Sequence, residues 1–283
     1  MRLVTFSRGI GAPEPGVIED QKVVGLGSLG YPSMLTIIEN WDTAREKIQG
    51  AAKSAAGLEI SSVKLLAPIP KPNKLICIGL NYRDHAEESG MKIPEVPTVF
   101  NKFATSVIGP GDNIVLPKNS TKPDYEAEMA FIIGKGGRYI LADKWKEHVF
   151  GYTIVNDVSA RDFQLEGTSQ WLIGKTFDTF APMGPAIVTA DEVADPHDLD
   201  VKMTIGGQVL QNSNTKHLIF NIPALISYLS SVFTLEPGDI ISSGTPAGVG
   251  LGWKPPRWLK PGDECVVTVS GVGELRNPCV AET

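Results

Sequence analysis

From residue 98 onward the chain is a succession of short apolar segments separated by tight turns, and this constrains the fold more than any other feature. The segments are rich in Val, Ile, Thr and Phe, and the turns carry sequences such as PGD and GKGG, which favours β-strands. Many strands with sparse helices predict a mainly-β (α+β) fold, a mixed β-roll or barrel-like sheet, not a doubly wound parallel fold. The predicted strands are TVFNKF, NIVLP, AEMAFIIG, GYTIVND, AIVTA, LDVKMTIGG, DIISSG and ECVVTVSGVG.

The first part of the chain has a different pattern, and we expect residues 1–66 to form a small N-terminal domain ahead of a catalytic domain at 67–283. Two short strands, RLVTFS and QKVVGLG, precede a helical stretch around Ser33–Ile48. The prolines of APIPKPNK disfavour helix and mark the boundary. The apolar run KLICIGL that follows is typical of a strand covered on both faces. Helices of the second unit are predicted near Asp143–His148, after Asp157, and from Ile222 to Phe233.

Composition excludes several functional classes. The 283-residue chain has a formal net charge of −6 and a pI near 5.3, which argues against binding to nucleic acid or to an anionic membrane. It has no run of 18 apolar residues that would span a membrane, and its first residues lack the apolar stretch of a signal peptide. Cys77, Cys265 and Cys279 are odd in number and lack metal or redox spacing, as expected of buried thiols in a reducing compartment. We therefore expect a cytoplasmic protein.

Two glutamates, Glu126 and Glu128, point to the same face of the predicted strand EAEMAFIIG, with Cα atoms about 6.6 Å apart. Asp157 follows at the end of another predicted strand. Like charges in an apolar strand cost several kcal/mol each if they are buried unpaired, so a positive charge is expected between them. Three carboxylates without a competing Cys or His suit Mg²⁺ or Mn²⁺ better than Zn²⁺. The alternative is an edge strand with solvated glutamates, and the pattern alone favours neither.

A polar burst, GLNYRDHAEESG, follows the strand after the boundary. If this segment is helical, His85 and Glu88 are three residues apart and share a face. A carboxylate beside an imidazole fixes its tautomer and raises its basicity, which suits a general base. The alternative interpretation is a solvated charged turn.

Further candidates lie after Asp157. Arg161 and Gln164 are three residues apart in NDVSARDFQ, and both side chains suit a carboxylate or a carbonyl group. Lys175 is surrounded in sequence by apolar and aromatic residues, so its ammonium is expected to have a polar partner inside a cavity. Thr245 lies in a glycine-rich loop that either binds a substrate carboxylate or is a simple β-turn.

Taken together, these segments resemble the fumarylacetoacetate hydrolase superfamily over residues from about 72 to 280. The family fold is a mixed β-roll, usually dimeric and sometimes tetrameric, so the resemblance implies a homodimer or a dimer of dimers. The front unit is shorter than in fumarylacetoacetase proper, and that enzyme's additional metal ligand has no matched position here. The segments that carry the resemblance are CIGLNYRDHAEESG, FNKFATSVIGP, DYEAEMAFIIGK, VNDVSARD, QWLIGKTFDTFAPMGPAIVT, PGDIISSGTPAGVG and KPPRWLKPGD.

The resemblance also implies residue roles. The divalent-metal ligands would be Glu126, Glu128 and Asp157, with Mg²⁺ or Mn²⁺ as cofactor. The catalytic residues would be His85, Glu88 and Lys175. The substrate-binding residues would be Arg161, Gln164, Thr245 and Lys102, the last from the segment FNKF.

Substrates of the family are 2-oxo or 2,4-dioxo acids, so a small anionic oxo acid is the expected substrate. Our leading hypothesis is hydrolytic cleavage of a C–C bond in a 2,4-dioxo acid of the acylpyruvate type. In it His85, oriented by Glu88, deprotonates the attacking water, and Lys175 supports the developing negative oxygen. An oxaloacetate-type decarboxylase or a 2-hydroxy-diene-dioate isomerase on the same scaffold would need no attacking water. A catalytically silent metabolite-binding protein is the alternative from another class.

Overall fold

The computed structural model of the chain describes residues 1–9, 11–54, 56–90, 92–167 and 169–283. Within these ranges the strands form a large mixed sheet, a five-stranded sheet and a two-stranded ribbon, and none of these sheets closes into a barrel. The predicted mainly-β class is therefore confirmed. The strands are β1 (Arg2–Ser7), β2 (Glu14–Glu19), β3 (Lys22–Gly25), β4 (Leu58–Glu59), β5 (Lys64–Leu66), β6 (Leu75–Gly79), β7 (Thr98–Asn101), β8 (Val107–Ile108), β9 (Ile114–Leu116), β10 (Pro123–Asp124), β11 (Ala127–Ile133), β12 (Val149–Asn156), β13 (Ser159–Ala160), β14 (Ala181–Thr189), β15 (Asp200–Ile205), β16 (Gln208–Asn214), β17 (Ile240–Ser242), β18 (Glu264–Val269) and β19 (Gly273–Ala281).

Helices are short and lie around the sheets. The α-helices are α1 (Met34–Glu39), α2 (Trp41–Ser54), α3 (Arg83–Ser89), α4 (Arg161–Leu165), α5 (Leu172–Lys175) and α6 (Ile222–Val232). Short 3₁₀ segments occupy Gly27–Leu29, Ile60–Ser62, Ala104–Ser106, Ala142–Glu147, Ala190–Glu192, Thr215–His217 and Gly250–Gly252. None of the helices in the described ranges is long and apolar enough to cross a membrane.

At the centre of the large sheet, four neighbouring strands each have one end on the same side of the sheet. Strand β11 is antiparallel to both β12 and β17, and β17 is parallel to β6. The start of β11 therefore lies beside the ends of β12, β17 and β6. Every residue of β11 is buried, because its apolar run is covered on both faces. The polar residues that precede β11 and follow the other three strands are thus gathered in one place.

The N-terminal segment continues the large sheet. Strand β1 pairs antiparallel with β14 through Arg2 and Val188, and β2, β3 and β4 extend the sheet outward from β1. The boundary that we place at residues 66 and 67 stays a prediction. The strands on the two sides of that boundary share backbone hydrogen bonds.

Helix α6 packs on the core as its period predicts. Asn221 caps its first turn, with Oδ1 accepting from the backbone N–H of Ala224 at 3.1 Å. The predicted end at Phe233 is one residue too far, because Phe233 adopts an extended conformation. Burial of each large apolar side chain contributes about 1.5–3 kcal/mol. The buried apolar residues of α6 are Ile222, Leu225, Ile226 and Leu229.

Other predicted elements differ in detail. The helical stretch around Ser33–Ile48 is two helices that meet at Asn40, which leaves the helical conformation. The helix expected near Asp143–His148 is 3₁₀ in type. Strand β16 was not predicted, because its sequence QVLQNSN is mostly polar. It is held by pairing with β15.

Candidate active site and metal centre

Three carboxylates lie close together where the central strands β11 and β12 begin and end. Glu126 precedes β11, Glu128 is its second residue, and Asp157 directly follows β12. All three side chains are buried, and one oxygen from each lies within 4.8 Å of the others. The alternative of solvated glutamates on an edge strand is therefore wrong. Three oxygen donors that converge in this way suit a hard divalent cation such as Mg²⁺ or Mn²⁺.

The state of Glu128 supports a cation at this position. Its Oε2 accepts hydrogen bonds from Ser242 Oγ at 2.5 Å and from the backbone N–H of Gly244 at 2.9 Å. Burial, together with the negative charges of Asp157 and Glu126, nevertheless raises the pKa of Glu128 well above its usual range. The positive groups of the protein therefore do not compensate the negative charge of Glu128. A divalent cation bound by the three carboxylates would supply that charge.

Two buried lysines contact these carboxylates, and one of them, Lys175, also lines the cavity described below. Lys175 donates to Glu126 Oε2 at 2.7 Å and to Asp157 Oδ2 at 2.8 Å. Burial lowers the pKa of Lys175, but Asp157 and Glu126 outweigh burial, and the net pKa is raised above its ordinary value. The side chain is therefore an ammonium that can donate hydrogen bonds, not a base. Its Nζ also lies 5.0 Å from the centroid of the Phe100 ring.

Lys102 belongs to the carboxylate cluster. Its Nζ donates to Asp157 Oδ1 at 2.5 Å and to the carbonyl of Val158 at 2.9 Å. This buried ammonium orients Asp157. The substrate-binding role that we expect for Lys102 stays a prediction.

Arg161 and Gln164 lie on α4, and their side chains are joined by a hydrogen bond. Arg161 Nε donates to Asp124 Oδ2 at 2.8 Å, Nη1 donates to Gln164 Oε1 at 2.8 Å, and Nη2 lies 2.7 Å from Glu126 Oε1. Burial raises the pKa of Glu126, but Lys175 and Arg161 outweigh burial and hold that pKa at about 2. Glu126 is therefore ionised and available as a ligand at neutral pH.

The expected His–Glu pair forms on a helix. Residues 83–89 are helix α3, and His85 Nδ1 lies 3.3 Å from Glu88 Oε2. Glu88 also accepts from the backbone N–H of Gly248, with its two oxygens at 2.9 and 3.1 Å. The carboxylate is thus anchored on the opposite loop while it contacts the imidazole. Because residues 83–89 are helical, the turn of the alternative interpretation does not form, but the two side chains stay partly exposed to solvent.

One small cavity of about 60 Å³ is lined by several of these groups, but Asp157, Lys102 and Glu88 are not among its lining residues. Thr245 reaches the cavity from the glycine-rich loop, where its Oγ1 donates to the carbonyl of Ala127 at 3.0 Å and accepts from Gln211 Nε2 at 2.8 Å. The lining combines charged and polar side chains with apolar ones. The lining residues are Ile78, Gly79, Leu80, His85, Glu126, Glu128, Arg161, Gln164, Leu165, Trp171, Lys175, Thr245 and Leu251.

Sequence reasoning missed Asp124. It is fully buried and contacts Arg161, yet it does not line the cavity. The signal was present, because Asp124, Glu126 and Glu128 alternate in the segment DYEAE and alternate residues of an extended chain point to one side.

Comparison with known proteins agrees with this geometry. The family described as "Fumarylacetoacetate (FAA) hydrolase C-terminal" matches residues 74–280. A Xenopus laevis protein, "Oxaloacetate tautomerase fahd2, mitochondrial", is 43% identical, covering 99% of this chain and 90% of that protein. The "Fumarylacetoacetate hydrolase domain-containing protein 2 homolog" of Dictyostelium discoideum is 50% identical over 78% of this chain and 75% of its own length. The structure of maleylpyruvate hydrolase from Sphingobium sp. SYK-6 with manganese(II) and pyruvate covers 100% of both chains, with 32% identity and a TM-score of 0.86.

Proposed function

Because the chain belongs to the fumarylacetoacetate hydrolase family, we propose that it is a metal-dependent enzyme that interconverts the enol and keto forms of a small 2-oxo acid, with an oxaloacetate-type dicarboxylate as substrate. One observation carries this proposal. Two of the three buried carboxylates (Glu126 and Glu128), the ammonium of Lys175 and the imidazole of His85 line a single cavity of about 60 Å³, which suits a compact substrate. The 43% identity to the Xenopus laevis oxaloacetate tautomerase over 99% of this chain supports it.

The residues fit the metal. Glu126, Glu128 and Asp157 would hold Mg²⁺ or Mn²⁺, and the chemistry that such an ion supplies is polarisation of an oxo group. The ionised state of Glu126 and the short supply of positive charge at Glu128 are both consistent with this role.

The chain's own groups account for the rest of the reaction. Keto–enol interconversion moves one proton between C3 and the oxygen on C2, and it consumes no water. His85, oriented by Glu88, takes the proton from C3 and delivers it to the oxygen on C2, or carries it back in the reverse direction, so that no proton is gained or lost. The ammonium of Lys175 donates a hydrogen bond to the oxygen on C2 as negative charge develops there, a contribution of about 2.7–4 kcal/mol for such a donor.

Substrate orientation falls to the remaining polar residues. The guanidinium of Arg161 carries a permanent charge and would bind a carboxylate, with Gln164 and Thr245 as further hydrogen-bonding groups. The apolar wall around Trp171 and Leu251 would exclude water from the carbon that exchanges its proton.

Hydrolytic C–C cleavage of a 2,4-dioxo acid, our leading hypothesis from the sequence, is the second candidate. It is favoured by the full-length likeness to maleylpyruvate hydrolase, with a TM-score of 0.86. In that reaction His85 would activate a water molecule, and the bond that breaks would release an enolate and a carboxylic acid.

Product analysis separates the candidates. Purified protein with Mn²⁺ is incubated with enol-oxaloacetate and, separately, with a series of acylpyruvates, and pyruvate is followed with a coupled dehydrogenase. We expect accelerated loss of the enol without release of pyruvate. Pyruvate from an acylpyruvate would establish hydrolysis instead, and pyruvate from oxaloacetate would establish decarboxylation. Oxalate binding without turnover of any oxo acid would establish the silent binding protein.

We propose the cytoplasm as location and a homodimer or dimer of dimers as assembly. The name of the Xenopus laevis relative places that protein in mitochondria. Cell fractionation tests the location, and light scattering on the purified protein tests the assembly. Co-sedimentation of the protein with mitochondria, or a monomeric mass, would contradict the respective proposal.

A further inference from the structure

Asp124 lies behind the cavity, and its carboxylate is saturated with hydrogen bonds. Its Oδ1 accepts from the backbone N–H groups of Tyr125 at 2.8 Å and Gly250 at 2.6 Å. Its Oδ2 accepts from Arg161 Nε at 2.8 Å and from the backbone N–H of Leu251 at 3.0 Å. Four donors occupy one fully buried carboxylate, so none of its acceptor sites remains for a substrate.

One side of Asp124 fixes the guanidinium of Arg161. The Nε–H points at Asp124, while Nη1 donates to Gln164 and Nη2 lies against Glu126. The fork of an arginine is planar, so fixing Nε fixes the directions in which the other N–H groups point. Asp124 thus sets the orientation in which Arg161 meets the cavity.

The other side of Asp124 fixes the loop that hydrogen-bonds to the carboxylate of Glu88. The loop runs from Gly248, which donates to Glu88, through Gly250, which donates to Asp124. A Cβ at Gly250 would lie 2.6 Å from Asp124 Oδ1 and 2.1 Å from the carbonyl oxygen of Arg257. A Cβ at Gly252 would lie 2.5 Å from the carboxyl carbon of Glu88. The glycines therefore let one stretch of backbone approach both carboxylates closely.

We infer that Asp124 is a positioning residue that couples Arg161 to the loop receiving the His85–Glu88 pair. The side chain of Asp124 then fixes the orientation of Arg161, which binds the substrate carboxylate, and the position of the loop that holds Glu88. The inference rests on the proposed function in taking Arg161 as a carboxylate-binding group. Asp124 itself touches neither substrate nor metal.

If Asp124 acted only through its negative charge, Asp124→Asn would change anion binding in the opposite direction from the one expected of a positioning residue. Asp124→Asn removes a negative charge from the surroundings of an anion site, so by charge alone the variant would bind an anion more tightly. By positioning it would bind the anion more weakly, because the amide replaces an acceptor oxygen with an NH₂ group that faces existing donors.

Calorimetric titration of oxalate into Mn²⁺-loaded protein tests the inference. In Asp124→Asn we expect the oxalate Kd to rise about tenfold or more, the loss of a hydrogen bond to a charged group. The Mn²⁺ affinity should change much less, by about threefold at most, because Asp124 hydrogen-bonds to none of the three candidate ligands. Asp162→Asn is the charge-matched control, since Asp162 adjoins Arg161 in sequence but accepts from Ser120 and Thr121. The control should bind oxalate as the wild type does.

A double-mutant cycle identifies the partner. Arg161→Lys keeps the charge but lacks Nε, so it should weaken oxalate binding by a similar factor. The two losses should not add in the double variant. If Asp124→Asn does not fold, the test depends on Arg161→Lys alone. Unchanged oxalate binding by Arg161→Lys would then overturn the inference.

Each other outcome has one meaning. Unchanged or tighter oxalate binding by Asp124→Asn, or fully additive losses in the double variant, would overturn the positioning role and leave the proposed function standing. Failure of the Mn²⁺-loaded wild type to bind oxalate would overturn the proposed function and the inference with it.

Discussion

The ammonium of Lys175 lies 2.8 Å from Oδ2 of Asp157, with both side chains fully enclosed by the protein. The same ammonium contacts Glu126, so a single positive charge separates two of the three candidate metal ligands. A lysine in this position balances part of the carboxylate charge in the absence of metal. In the proposed reaction the same ammonium also donates a hydrogen bond to the substrate.

Replacing Lys175 with Met should therefore make the fold depend on metal. Breaking a buried ion pair by removing one partner costs about 3–5 kcal/mol, and a bound dication would recover part of that loss. We expect a lower Tm than the wild type in EDTA and a larger rise in Tm on addition of Mn²⁺. Lys122→Met, which breaks the surface contact with Glu166, is the control and should change little. Equal Mn²⁺-induced shifts in wild type and Lys175→Met would contradict this relationship.

Removing a ligand charge should abolish metal binding without changing side-chain shape. Glu128→Gln and Asp157→Asn are each expected to weaken Mn²⁺ binding by at least about 100-fold, more than the loss of a supporting residue behind a metal ligand causes. Calorimetric titration with Mn²⁺ measures the effect. Glu166→Gln, on the exposed surface, should bind Mn²⁺ normally. Wild-type Mn²⁺ affinity in Glu128→Gln would refute the proposed ligand set.

His85→Ala should separate proton transfer from binding. Loss of a positioned general base typically lowers the rate by about 10²–10⁴-fold. The Mn²⁺ affinity should change little, because His85 is not one of the three carboxylates that would hold the ion. His217→Ala, outside the cavity lining, is the matched control. If His85→Ala turns over the substrate at the wild-type rate, another group moves the proton.

Trp171 should limit the size of the substrate. Its ring lies against Gly79, where a Cβ would meet ring atom Cζ3 at 2.1 Å, and it lines the cavity. Trp171→Ala should lower the KM for 2-oxo acids with longer apolar substituents relative to that for oxaloacetate. Steady-state kinetics on a homologous series of substrates measures this ratio. An unchanged ratio would mean that another wall sets the substrate size.

His197 should make stability depend on pH. Burial lowers the pKa of His197 from its ordinary 6.5 despite the opposing effect of nearby Asp195, and its Nε2 accepts from the backbone N–H of Ile222 at 3.3 Å. The folded protein thus binds this proton less readily than the unfolded chain. Its contribution to stability is complete above pH 6.5, and it decreases as the pH falls below that value towards the folded pKa.

Comparison with a variant isolates this histidine from other titrating groups. His197→Gln keeps an acceptor for Ile222 but does not titrate, so its Tm should fall less than that of the wild type between pH 8 and pH 5. The charged groups near the ring, Asp195 and Lys146, are present in both proteins. Parallel Tm curves for the two proteins would contradict the assignment.

The sequence predicted the parts of the site that depend on local pattern. Alternation along the apolar segment of β11 places Glu126 and Glu128 on one side, and helical spacing pairs His85 with Glu88. Helix α6 followed from its apolar period, and its cap at Asn221 agrees with that prediction. In each case the physical constraint acts within a few residues.

The remaining features depend on contacts between distant parts of the chain. Lys102 meets Asp157 across 55 residues, and Asp124 meets Gly250 across 126. The polar strand β16 exists because β15 offers it hydrogen bonds. The reaction type is also beyond local pattern, since the His–Glu pair would serve equally well in either of the two proposed reactions. What differs is whether a water molecule reaches the bound substrate.

The most direct test follows the ultraviolet absorbance of enol-oxaloacetate as it converts to the keto form. We predict that the protein with Mn²⁺ accelerates this conversion, that prior treatment with EDTA removes the acceleration, and that renewed Mn²⁺ restores it in the wild type but not in Glu128→Gln. Pyruvate should form no faster than it does with Mn²⁺ in the absence of the protein. The same acceleration after EDTA treatment, or no acceleration at all with Mn²⁺, would contradict the proposal that the three buried carboxylates hold the metal of a 2-oxo acid enolising enzyme.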